Sequence, residues 1–90
     1  MTDTLKPFRD ARQRLRNKAA QCARLARKSQ TAGNFSTEPH IKQMHLSEAV
    51  RNYAIYSAYR NASSSIFHAI ADAEKEMRKQ DTVAKLRAMA

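Results

Sequence analysis

Three residues in this chain stand out as helix breakers: Pro7, Gly33 and Pro39. From residue 40 to residue 90 there is neither glycine nor proline. Alanine, the best helix former, supplies sixteen of the 90 residues. A chain punctuated this sparsely has few options beyond long helices. Pro7 suits a first helical turn, where a missing N–H costs nothing, and Thr4 stands where a side-chain cap belongs. The first helix then covers 1–32, and Gly33 suits the left-handed position just past its end. A loop at 33–37 follows. Thr37 or Ser47 caps what comes next, with Pro39 placed for a first turn. Asn61 and the run Ser63, Ser64, Ser65 are weak helix formers that permit a turn. Residues 38–80 therefore read as one long helix or as a helical hairpin of two shorter ones. Asp81 caps a short C-terminal helix, 81–90. The expected fold is all-α, a single small domain over 1–90.

Such a domain has little with which to build a core. Leu, Ile, Val and Phe number fourteen, roughly 16% of the chain and under the ~20% at which charged chains begin to resemble disordered ones. A chain of this length buries only about 60–65% of its unfolded surface. The net charge of +9 adds self-repulsion. A homodimer of helices is the expected remedy. Residues 49–59, AVRNYAIYSAY, are apolar almost all round, which is the mark of a helix contacted on several sides. Tyr56, Tyr59, Ser63, Ile66, Ile70, Ala73 and Met77 follow 3–4 spacing, a seam for a dimer or a hairpin. Tyr53, Tyr56, Tyr59, Ile66, Ile70 and Met77 are accordingly assigned to core or dimer packing.

The charge is unevenly placed. Each of the eight acids has a base three or four positions later, from Asp3–Lys6 and Asp10–Arg14 to Glu76–Lys79 and Asp81–Lys85, the favourable order on a helix. Nine bases are then left over: Arg9, Arg12, Arg16, Lys18, Arg24, Arg27, Lys28, Arg60 and Arg87. Residues 1–33 hold nine bases and two acids, a net +7, against +2 for the rest. In the first helix Phe8, Ala11, Leu15, Ala19, Cys22 and Ala26 form a narrow stripe of mostly small residues, suited to close helix–helix contact. Docked by that stripe, the helix shows bases over nearly all its free surface. A run of charge often does no more than solvate a face. Missing counter-charges and a preference for arginine, whose planar fork binds phosphate bidentately, favour an anionic partner instead. Arg9, Arg12, Arg16, Lys18, Arg24, Arg27 and Lys28 are the expected binding residues, for nucleic acid or for an acidic protein surface.

Residues 40–80 also resemble the core of ribbon-helix-helix DNA-binding proteins, in which a strand precedes two helices joined by a short turn. HIKQMHL stands for the strand, EAVRNYAIYSAYR for the first helix and SSSIFHAIADAEKEM for the second, with Asn61 in place of the usual turn glycine. The resemblance implies a DNA-binding protein. It competes with the purely helical reading.

Catalysis is not expected. One glycine cannot make a phosphate-cradling loop, HExxH is absent, and His40, His45 and His68 lack ligand spacing. Cys22 has no base–orienter pair, and no two carboxylates stand free for acid–base work. No metal, cofactor or small-molecule substrate is expected. No run approaches the ~20 apolar residues of a membrane span. A lone cysteine and the lack of an apolar leader at the N-terminus suggest the cytoplasm. The sequence thus points to a non-enzymatic nucleic-acid-binding protein. The alternative is a small interaction factor or inhibitor, of phage or plasmid type, that docks its basic helix on a nucleoprotein complex.

Overall fold

The computed structural model describes residues 3–90 and contains two helices, α1 (Lys6–Phe35) and α2 (Pro39–Met89). They form an antiparallel hairpin, and the molecule measures 78 × 18 × 13 Å. All-α is the right class, and Pro7 and Pro39 both lie in first turns.

The packing seam follows a heptad rhythm on both helices. Arg12, Leu15, Ala19, Cys22, Ala26, Ser29 and Gly33 of α1 are buried or half-buried, as are Ala49, Asn52, Tyr56, Tyr59, Ser63, Ile66, Ile70 and Ala73 of α2. Alternating steps of three and four average 3.5 residues per turn, the period that keeps two helices in register along a shared seam. Cross-helix contacts fix the pairing: Arg9 with Glu74, Arg12 with Phe67, Lys18 with Tyr59, Gln30 with Tyr53. Each pair of numbers sums to about 80, the signature of antiparallel neighbours. Small side chains on α1 let the helices approach closely, and Ala26 is fully buried. The core is as thin as the composition implies: among the described residues the buried apolar ones are Ala19, Ala26, Ala49 and Ile70.

Several expectations are corrected. Residues 39–89 make one continuous helix, so neither the turn near Asn61 nor the separate C-terminal helix at 81–90 exists. The weak helix formers are absorbed locally. Ser65 donates its hydroxyl to the Asn61 carbonyl and Thr82 to that of Arg78, both at 3.0 Å, while Ser63 is buried in the seam. HIKQMHL lies inside α2, and no strand occurs among the described residues, which removes the ribbon-helix-helix alternative. The connection is 36–38 rather than 33–37. Gly33 does not take a left-handed conformation. It lies within α1, and a β-carbon there would come 2.8 Å from Leu46 Cδ2. Close approach, not chain reversal, is what requires glycine at this point. The residues before α1 and α2 are Leu5 and Glu38, and neither helix has a side-chain cap.

The acid–base register is also corrected. Among the described residues none of the eight expected pairs closes to ion-pair distance. Asp10 pairs with the preceding Lys6 at 3.1 Å, Asp3 with Arg9, and Glu74 with Arg9 across the hairpin at 3.4 Å. Exposed pairs at helical spacing contribute only about 0.3–0.5 kcal/mol, so small differences in reach redirect them.

Beyond Glu74 every residue of α2 is exposed. The hairpin ends there, and residues 75–89 continue as a lone helix for about 22 Å.

Candidate functional site

An open groove of about 550 Å³ runs along one side of the hairpin. Its α1 wall carries Arg12, Arg16, Arg24 and Arg27, and its α2 wall carries Arg60. No carboxylate lines it. The floor is made by Ala19, Ala20 and Ala23, whose short side chains leave the space open, with Ser63, Ser64, Tyr56 and Phe67 contributed by α2. Arg12 and Arg27 are fifteen residues apart, which places them about 22 Å apart along the helix axis.

The arginines are held to different degrees. Arg12 is half-buried and its guanidinium lies over the Phe67 ring, 4.6 Å from the centroid. Its Nε is buried and makes no hydrogen bond. Arg60 donates from Nη1 to the Tyr56 hydroxyl at 3.4 Å, which steadies it at the groove edge. Arg16, Arg24 and Arg27 are exposed and have no ion-pair partner among the described residues. Unpaired guanidiniums along a shallow channel offer forked N–H donors to the oxygens of a phosphate chain. With no acid among them, each enters such a contact without first breaking another ion pair.

Three of the residues expected to bind lie outside this groove. Arg9 is outside the groove and is ion-paired with Asp3 and Glu74, tying the start of α1 to α2. The hydrogen bond from Arg9 to Asp3, helped by the Leu5 amide, holds the Asp3 carboxyl below its ordinary value of 3.8, and the same contact raises Arg9. Lys18 is on the opposite side, with its ammonium 5.9 Å from the Tyr59 ring centre. Lys28 is exposed and does not line the groove.

The packing residues divide as well. Tyr56, Tyr59, Ile66 and Ile70 sit in the seam between α1 and α2. Tyr53 is exposed and donates its hydroxyl to Gln30 Oε1 at 3.4 Å. Met77 is exposed past the end of the seam. Arg60 is the groove residue that the sequence left out of the binding set. It already stood among the bases without an acid, but only the antiparallel pairing places it opposite Arg16 and Arg24.

Among the described residues no helix is long and apolar enough to cross a membrane. Comparison with protein-family models, with curated proteins and with solved structures finds no match to this chain.

Proposed function

We propose that this chain is a non-enzymatic, cytoplasmic nucleic-acid-binding protein, acting as a homodimer, that lays Arg12, Arg16, Arg24, Arg27 and Arg60 along a phosphate backbone. The observation that carries the reading is a groove with five guanidinium groups and no carboxylate. Folding spends charge–charge repulsion to gather them, and the repulsion is relieved when a polyanion enters. The aromatic side chains Tyr56 and Phe67 give the groove apolar surface beside the donors.

Titration of a fluorescent duplex across a salt series tests this. Five phosphate contacts give a log K against log salt slope of about −4 to −5. Changing Arg16, Arg24, Arg27 and Arg60 to glutamine keeps side-chain length and flattens the slope by about 3–4. If neither duplex nor single strand binds at ~50 mM salt, where screening is weak, the groove serves an acidic protein surface and the interaction-factor reading replaces this one.

A further inference from the structure

The five groove arginines are spaced at nearly even intervals along the hairpin. On α1, Arg12 and Arg16 are separated by about 6 Å of helix axis, and Arg24 and Arg27 by about 4.5 Å. Between Arg16 and Arg24 is a gap of about 12 Å, floored by Ala19, Ala20 and Ala23. Arg60 of α2 fills it. The antiparallel pairing of Arg12 with Phe67 and of Lys18 with Tyr59 sets Arg60 level with Ala20, midway along the gap. Two helices thus supply one row of five guanidinium groups, at axial steps of about 6, 6, 6 and 4.5 Å. Arg24 is the outermost in the heptad frame of the seam, and the reach of its long side chain covers the offset.

The row has defined ends. Before Arg12, Arg9 is neutralised by Asp3 and Glu74. After Arg27, the next contact between the helices joins the uncharged Gln30 and Tyr53.

Spacing and straightness decide which polyanion fits. A polypeptide reaches about 3.3–3.6 Å for every three backbone bonds, and the six bonds from one nucleotide phosphorus to the next reach about twice that. An extended single strand therefore offers its phosphates at close to the step of the row. A duplex turns once in about 10 base pairs, so five successive phosphates of one strand swing through about four-tenths of a turn. They leave a straight channel, and a duplex keeps all five contacts only by bending or unwinding at an elastic cost. Unpaired bases also have free faces to lay on apolar surface such as Phe67, which is 47% exposed, whereas duplex bases are stacked inside. Resting on the phosphate-binding reading of the groove, we infer that its ligand is a single-stranded nucleic acid held by five consecutive phosphates. Such contacts fix the strand without reading its sequence.

Competition titrations with the full chain test this. The probes are a mixed-sequence DNA strand of about 20 nucleotides, the RNA of the same sequence, and the blunt DNA duplex of the same length. Both strands are expected to bind at least tenfold more tightly than the duplex, with a salt slope near −3.5 from five contacts. A series of shortened oligothymidylates is expected to hold its affinity down to about five phosphates and to lose at least tenfold at about three. Arg60→Gln is expected to weaken strand binding as much as Arg16→Gln does, although the two residues are on different helices. Both positions are exposed, and circular dichroism checks that the helices are intact. A duplex that binds as tightly as the DNA strand overturns the inference and leaves the phosphate-binding reading in place. An affinity that falls smoothly with length, with no break near five phosphates, does the same. Binding of neither strand nor duplex at ~50 mM salt sinks the groove reading and this inference with it.

Discussion

Leu46 fills the space that a side chain on Gly33 would need: its Cδ2 and Cγ would lie 2.8 and 3.0 Å from a β-carbon built there. This contact closes the turn end of the hairpin, three residues before α1 gives way to the 36–38 connection. Two effects of opposite sign meet at this position. Gly33→Ala gains about 1 kcal/mol of helix propensity, and overpacking costs about 1–3 kcal/mol. Because the Leu46 branch point as well as its tip is too close, the clash prevails. Gly33→Ala is expected to lower Tm by several degrees. In a Leu46→Ala background the clash is gone and the same change is expected to raise Tm. Thermal melts of the four proteins decide the matter, and a stabilising Gly33→Ala in the wild-type background would show that Leu46 moves aside freely.

The phosphate-binding reading of the groove sets its arginines apart from the bases at the far end of α2. Lys75, Arg78 and Lys79 are outside the groove, on the part of α2 that α1 does not cover. Changing these three to glutamine removes nearly as much charge as the groove quadruple. The expected salt slope nevertheless changes by less than about 1, against about 3–4 for Arg16, Arg24, Arg27 and Arg60. Equal effects from the two sets would mean that total charge, not its placement, governs binding.

Arg12 has a divided role. Its stacking on Phe67 is worth about 0.5–1 kcal/mol, and its buried, unbonded Nε works against that gain. Arg12→Met keeps an unbranched chain on the ring and removes the orphan donor. Tm is expected to hold or rise while phosphate binding weakens. A large fall in Tm would show that the guanidinium itself secures the seam.

The pairing of Asp3 with Arg9 is pH-dependent in a defined direction. The folded-state carboxyl is depressed below 3.8. Its stabilising contribution is therefore complete above that value and is lost as pH falls through the lower, folded value. Asp3→Asn is expected to increase fraying of the first turn of α1 at neutral pH and to have no effect once the wild-type carboxyl is protonated. Amide exchange at Phe8 and Arg9, whose N–H groups bond the Leu5 carbonyl, reports the difference. A mutational effect that persists in strong acid would assign the order of that turn to something other than the ion pair.

The start of each helix was legible because its breaker is local: Pro7 and Pro39 carry their meaning in their own backbone, whereas the continuity of α2 through Asn61 and Asp81 was not. The α1 stripe was legible too, since Leu15, Ala19, Cys22 and Ala26 recur at helical spacing. What escaped depends on distant residues. Gly33 satisfies every local rule for a helix end, and only its contact with Leu46 explains a helical glycine. Ser63 is a poor helix former in isolation and a good seam residue where small size is needed. Arg9 finds Glu74 sixty-five residues away, beyond any window of three or four. Arg60 joins the groove only once the antiparallel register is known.

The bare end of α2 has a consequence for how the protein comes apart. Fifteen residues, 75–89, have no second helix against them, and an isolated helix of about that length is marginal in water. Their hydrogen bonds open without waiting for the hairpin to open. Heating the protein should therefore melt it in two stages. A shallow, salt-sensitive loss of ellipticity from the tail comes first, and a steeper, cooperative loss from the paired helices follows.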